Sequence, residues 1–232
     1  MEWMQKELRQ PNIEAKLIRY MDEWKFELMK EEGVPFTQVS SQSDIYDGMM
    51  IGDNGGYARF NNNRNERGYR SFNYISCWTL DNEPTLEKIR FYCDDHNKPR
   101  YAVMTSYQKL VGFCKDHIRY DKSHMLLMGN YFLYGKVEYC ECSTYNEKPW
   151  QAGKSQLSYF MKRKKYESEN EFRLLLFPAR GISIPYEGNY IMSSEIKPPI
   201  CTPLYGELQD FAETVYKLNP RSNKFEKEII KL

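Results

Sequence analysis

Tyr166-Glu167-Ser168-Glu169-Asn170-Glu171-Phe172-Arg173-Leu174-Leu175-Leu176-Phe177 is the stretch on which the fold turns. A polar, acidic opening gives way at Phe172 to the most apolar strand-like run of the chain, so the segment reads as a turn feeding a buried strand. In extended backbone the spacing of Glu167, Glu169 and Glu171 by two puts them on one face. Neighbouring ionised carboxylates repel, and a fold tolerates them in water or where a cation or polar ligand fits between. Glu171 stands where solvent gives way to core. With an ordinary pKa of about 4.3 it is anionic at neutral pH, able to accept a sugar hydroxyl or stabilise a cation. A plainer reading of the same residues is an ion pair between Glu171 and Arg173 on one strand face.

Working outward, residues 1–14 hold a short N-terminal helix, and Ala15–Tyr20 reads as a strand followed by a helix over Trp24–Glu32, with Asp22 as N-cap and Gly33 as the stop. Val34–Val39 reads as a strand. Residues 40–70 are rich in Ser, Asn, Gly and Asp and read as a long loop, with Gly52–Gly68 a candidate lid. Strands are expected at Phe72–Thr79, Arg100–Thr105, Tyr131–Cys142, Phe172–Phe177, Asn189–Ile196 and Thr214–Leu218. Helices are expected after Pro84 through Ile89 and Tyr92, over Tyr107–Phe113 and over Trp150–Lys165, with a short last one capped by Ser222. The basic run Lys162-Arg163-Lys164-Lys165 would then complement a helix C-terminus. The sum is a single α+β domain, a mixed, twisted sheet flanked by helices over residues 1–232.

Composition narrows the classes. The 232 residues are 41% hydrophobic and 28% charged, ordinary for a globular chain, and 33 basic against 32 acidic residues leave a net charge of +1. No global field draws the chain to nucleic acid or to an anionic membrane. The six cysteines read as reduced thiols, and the absence of a signal-like start and of a run of about 20 apolar residues points to a cytoplasmic protein without a membrane span. Cys140 and Cys142 lack a second pair at zinc spacing, and His96, His117 and His124 have no paired helical spacing, so no metal is expected. Neither a G-x-S-x-G elbow nor a phosphate-cradling G-x-x-x-x-G-K-[ST] loop is present, and Gly52, Gly55 and Gly56 read as loop punctuation.

The run Glu169-Asn170-Glu171 with its strand resembles the E-x-E turn of ADP-ribosyltransferases. Arg19 in Lys16-Leu17-Ile18-Arg19-Tyr20 and Ser76 in Tyr74-Ile75-Ser76-Cys77-Trp78-Thr79 are similar, in order, to that fold's first-strand Arg or His and middle-strand serine. The resemblance implies a split sheet and an arginine, serine, glutamate triad acting on NAD. Residues 15–232 also resemble, loosely, family 2971 of the catalogued domains of unknown function, on Arg19-Tyr20, Ser43–Asp47, Ile75–Thr79, Tyr166–Leu174 and Leu218-Asn219-Pro220. The family's Asn-Asp-Pro reads Ser-Asp-Ile here, which makes the chain a divergent member.

Under this resemblance Arg19 binds the phosphate or ribose of NAD, and Ser76 holds the nicotinamide ribose or orients Glu171. Glu171 stabilises an oxocarbenium-like transition state, and Glu169 activates an acceptor that the sequence does not identify. Tyr20, Trp78 and Tyr166 are the candidate aromatics for the nicotinamide ring, and a toxin or phage-defence setting is implied. Two other readings stand beside it. One is a non-catalytic domain binding a ligand or partner in the same cleft. The other is a metal-dependent nuclease in which Asp44, Asp47, Glu169 and Glu171 hold Mg²⁺ and Lys164 or Lys165 meets a phosphate.

Overall fold

In a computed structural model the described residues are 2–39, 73–93, 98–120, 131–140, 155–177, 183–186, 189–192 and 201–228. The expected 40–70 loop, with its Gly52–Gly68 lid and Asp44 and Asp47, lies outside them. In chain order the elements are α1 (Glu2–Glu7), β1 (Lys16–Asp22), α2 (Glu23–Glu32), β2 (Val34–Gln38), β3 (Tyr74–Thr79), α3 (Leu86–Tyr92), β4 (Arg100–Ser106) and α4 (Tyr107–Tyr120). There follow β5 (Tyr131–Lys136), β6 (Glu138–Cys140), β7 (Met161–Arg163), β8 (Glu171–Phe177), β9 (Ser183–Tyr186), β10 (Asn189–Met192), β11 (Cys201–Leu204), α5 (Leu208–Phe211), β12 (Thr214–Asn219) and β13 (Lys224–Glu228). Two 3₁₀ turns, Ser155–Phe160 and Lys164–Glu169, bracket β7.

The chain is α+β, and its main sheet is nine-stranded, with the path β11-β2-β3-β1-β4-β12-β13 and with β8 bridging β3 to β5. A mixed sheet is expected from the sequence, yet every pairing within this sheet is antiparallel. The parallel pairing lies between the short β6 and β7. Two further expectations are corrected. Trp150–Lys165 is no helix over its described part, which is a 3₁₀ turn and a strand, and the segment after Pro220 is β13 rather than a helix capped by Ser222. In β13 the pairing of Val215–Asn219 with Lys224–Glu228 satisfies the backbone groups that a helix would otherwise satisfy internally.

β3 is where the sheet divides. One of its edges carries β8 along the whole strand, from Tyr74 opposite Leu176 to Thr79 opposite Glu171. The other edge is shared by β2, paired at Tyr74 and Ile75, and by β1, paired only at Ile18 opposite Thr79. β1 then runs in seven-residue register with β4. The two halves are thus hinged at one register position.

One face is a continuous core. Leu17 and Met21 of β1, Tyr74 and Trp78 of β3, Val103 of β4 and Phe172, Leu174 and Leu176 of β8 pack against Phe26 and Met29 of α2, Leu110 and Phe113 of α4 and Phe211 of α5. The other face holds two separate apolar groups. Ile75, Leu133 and Leu175 pack with Leu157 and Phe160, whereas Ile18, Tyr20, Ala102 and Leu218 pack with Ile89 and Cys93. β8 is apolar on successive residues because both of its faces are covered, which is why its pattern does not alternate.

α2 stops at Gly33, whose φ of 98° lies where L side chains are strained and whose N–H closes on Met29 O at 2.9 Å. An added Cβ would also run into the Leu204 carbonyl of β11. Gly33→Ala is therefore expected to destabilise the fold by about 2 kcal/mol or more, seen as a lower denaturant midpoint at unchanged m-value.

Candidate functional site

Between the two apolar groups lies a polar seam built on the start of β8. Asn170, at φ 46° and ψ 55°, adopts the left-handed conformation that Asn tolerates better than most residues. Its N–H closes the 3₁₀ turn on Glu167 O at 3.1 Å, its carbonyl accepts from Leu80 N at 2.8 Å, and its side-chain amide donates to Leu80 O at 2.5 Å. The turn is thereby clasped to the end of β3. Glu171 begins β8 with its N–H donating to the Tyr139 hydroxyl at 2.8 Å.

Each Glu171 carboxylate oxygen meets a cation. Arg173 donates from Nε to Oε1 at 2.8 Å and from Nη2 to Oε2 at 2.9 Å, and its Nη1 donates to Tyr159 O at 2.6 Å. Lys162 Nζ donates to Glu169 Oε2 at 2.6 Å and to Glu171 Oε2 at 3.3 Å. The side chains are almost sealed, at 11% exposure for Lys162, 8% for Glu169, 3% for Glu171 and 1% for Arg173. Two carboxylates and two cations make a neutral buried set, and Lys162 is the cation that the Glu169 and Glu171 pair requires. Glu167, the third of the series, is exposed, because the 3₁₀ turn breaks the period of two.

Burial pushes the Glu171 carboxyl up, but the Arg173 and Lys162 charges outweigh it and, with a hydrogen bond from the Cys77 thiol, hold it down at about 2. For Glu169 burial wins over Lys162, and its pKa lies above the ordinary value. Burial opposes the Lys162 charge, yet Glu171 and Glu169 together raise its pKa. The Tyr92 and Tyr139 hydroxyls are pushed up by burial and by these carboxylates.

Strand parity decides which other residues share the seam. Residues directly opposite in an antiparallel pair point to the same face. Thr79 stands opposite Glu171, Cys77 opposite Arg173, and Ile18 opposite Thr79, so Tyr20, two residues from Ile18, is on the same side. The Tyr20 hydroxyl accepts from Thr85 N at 3.1 Å and hydrogen-bonds to Thr79. Its ring lies parallel to Tyr92 with centroids 5.9 Å apart, and the exposed Phe91 sets its edge on Tyr92 at 5.0 Å. Lys88 of α3 reaches both Asp81 oxygens, at 2.8 and 2.7 Å, and Glu169 O at 3.2 Å, tying this helix to the acidic turn.

Arg19, Ser76 and Trp78 form a second group on the opposite face. Arg19 Nη1 donates to Ser76 Oγ at 2.5 Å and to Pro35 O at 3.4 Å, Trp78 Nε1 donates to Ser76 Oγ at 3.1 Å, and the guanidinium lies 6.0 Å from the Trp78 ring centroid. Ser76 is three positions from Thr79, an odd number, so its side chain points away from Glu171. Of the residues singled out in the sequence, Tyr20, Glu169 and Glu171 are brought together, and Arg19, Ser76 and Trp78 are brought together, with the sheet between the two sets. One cleft joining Arg19, Ser76 and Glu171 is not what this register builds. Thr79, Cys77, Tyr92, Tyr139 and Lys162 join the seam without a sequence signal of their own, because the β3–β8 register places the first two and the packing of α3 and of the β6–β7 pair against the turn places the others.

Among the described residues no group of three or more His, Cys, Asp or Glu is placed to hold a metal, and Lys162 occupies the position between Glu169 and Glu171. No described helix is long and apolar enough to cross a membrane. No protein-family model matches the chain, and no curated protein or solved structure shows significant similarity to it.

Two outcomes test the network. Lys162→Met leaves two buried carboxylates facing one cation, and a loss of about 3 kcal/mol is expected in chemical denaturation. For pH the sign follows from Glu171, whose folded pKa lies below the unfolded value of 4.5. Its contribution is present above pH 4.5 and is lost as pH falls towards 2. Glu169, shifted the other way, opposes folding when ionised and offsets part of this. In Glu171→Gln the fall of stability below pH 4.5 should be shallower than in the parent chain.

Proposed function

We propose that the chain is an ADP-ribosyltransferase-like protein that takes NAD, with its site in the seam of Tyr20, Cys77, Thr79, Glu169 and Glu171 instead of around Arg19 and Ser76. The observation that carries this is the meeting of residues from β1, β3 and β8 on one face where β1 and β3 touch at a single register position. That near-separation of the two halves supports a split sheet, and the E-x-E turn at the head of β8 supports the same reading. In it Glu171, kept ionised by Arg173 and Lys162, is the carboxylate that an oxocarbenium-like transition state would draw on once one of these cations yields its place. Thr79 offers a hydroxyl to the ribose, and the half-buried Tyr92, backed by the buried Tyr20 stacked on it, offers ring surface to the nicotinamide or adenine.

A second reading, a domain that binds a nucleotide without turning it over, is favoured by two observations. Both Glu171 oxygens are already engaged by cations, and the β1 residues on the Glu171 face at this place are Ile18 and Tyr20, where the fold it resembles carries Arg or His.

Titration calorimetry with NAD and measurement of nicotinamide release separate the readings. For the transferase, Glu171→Gln should lower release about 100- to 1,000-fold. Tyr92→Ala should weaken NAD binding about tenfold, whereas Arg19→Gln should leave binding within about twofold. Binding without release selects the second reading, loss of binding in Arg19→Gln alone moves the site to the other face, and absence of both binding and release rejects both.

A further inference from the structure

Because the main sheet branches at β3, it has three edges among the described residues, β11, β13 and β5. An edge strand presents unpaired N–H and C=O groups to any other strand, and proteins blunt it with charge, with proline or with a cover. β13 carries the exposed Lys224, Glu226 and Lys227, and β11 carries Pro203. β5 has neither defence. Its run Tyr131-Phe132-Leu133-Tyr134-Gly135 is apolar up to Lys136, and among the described residues its strand partner is β8 alone.

N-terminal residues 5–10 cover this edge. The Gln5 side-chain amide takes the place of a peptide group, donating from Nε2 to Tyr134 O at 2.7 Å and accepting from Tyr134 N at Oε1 at 3.2 Å. Gln10 Nε2 donates to the same carbonyl at 3.0 Å, and Lys136 N donates to Arg9 O at 2.8 Å. Gly135 leaves room for the segment, because an added Cβ would stand 3.0 Å from Leu8 Cβ and 3.2 Å from Arg9 O. The cover is shallow. Within it Leu8 is buried, whereas Lys6, Glu7, Arg9 and Gln10 are exposed. A segment held by one leucine and a few partly solvated hydrogen bonds opens at far smaller cost than the sheet beneath it.

We propose that the edge of β5 is a homodimer surface under this cover, and that release of residues 5–10 lets β5 pair antiparallel with β5 of a second copy. Tyr134 and Lys136 turn their N–H groups outward, and by alternation Phe132 does the same. Pairing about Tyr134 sets Phe132 of each copy opposite Lys136 of the other, a cation against a ring, and Leu133 opposite Gly135, bulk against a gap. No like charges meet across it. Both copies use the same edge, so the assembly closes at two. The inference is independent of the NAD reading.

The test is sedimentation velocity of the full chain over a range of concentrations, with hydrogen exchange read at the Tyr134 and Lys136 amides. Gln5→Ala with Leu8→Ser removes the stand-in amide and the anchor, and Gly135→Ala pushes the segment away from the strand side. Both variants are expected to dimerise at least about tenfold more tightly than the parent chain. Exchange at the two amides should be faster in the dilute monomer and slow again in the dimer. Gly135→Ala keeps every core side chain, so it decides the matter if the first variant fails to fold. On either background Phe132→Glu and Phe132→Lys lose the same ring packing but set opposite or like charges against Lys136. The glutamate form is expected to dimerise about tenfold more tightly than the lysine form. Fast-exchanging amides in a chain that stays monomeric overturn the proposal. Unchanged exchange in both variants overturns it, because the segment is then no cover. Assembly past a dimer, or indifference to the charge placed at 132, overturns it as well.

Discussion

The register between β3 and β8 sets Thr79 against Glu171 and Cys77 against Arg173, and the arrangement of charge in this protein depends on it. A shift by one residue would send Glu171 and Arg173 into the continuous core occupied by Trp78, Phe172 and Leu174. There neither Lys162 nor Tyr139 would meet them, and two charges would be stranded among apolar side chains. The desolvation of such groups costs several kcal/mol per ion, so the charged pair specifies the register that leucines on both faces of β8 leave open. Asn170 reinforces it by clasping the turn to Leu80 from both its backbone and its side chain.

From that register follows the asymmetry of the sheet. One face is a single apolar core under α2, α4 and α5; the other is two apolar groups with the polar seam between them. The seam coincides with the place where β1 and β3 share one register position. A break in a sheet leaves backbone and side-chain groups that seek partners, and here Thr79 answers with a hydroxyl donated to Ile18 O at 3.2 Å and a hydrogen bond to Tyr20. Packing and chemistry therefore share a cause. The strand at which the sheet divides also supplies side chains of the seam.

Much of this architecture was legible in the chain itself. The helix over Trp24–Glu32 with its Gly33 stop, the strands at Arg19, at Ser76 and at Phe172, and the α+β class all follow from period and punctuation that act over a few residues. The pairing of Glu171 with Arg173 was legible too, since a spacing of two on a strand puts both on one face. Local patterns failed where backbone satisfaction depends on a distant partner. Residues 161–163 carry a helix-like composition yet pair with Glu138–Cys140, and residues 224–228 pair back on Thr214–Asn219.

What the sequence by itself determined is the type and order of the elements outside residues 155–165 and 224–228, and the fact that Glu169 and Glu171 need a cation near them, because these rest on covalent spacing and on charge. Only the tertiary structure decided which cation that is, Lys162, and which residues face Glu171. Arg19 and Tyr20 are adjacent in the chain, as are Ser76 and Cys77, yet each pair is divided by the sheet, with Tyr20 and Cys77 on the side of Glu171. The physical reason is that successive strand residues alternate faces while register is set by contacts between segments roughly 60 to 100 residues apart, so no local pattern reveals which member of a neighbouring pair enters the seam.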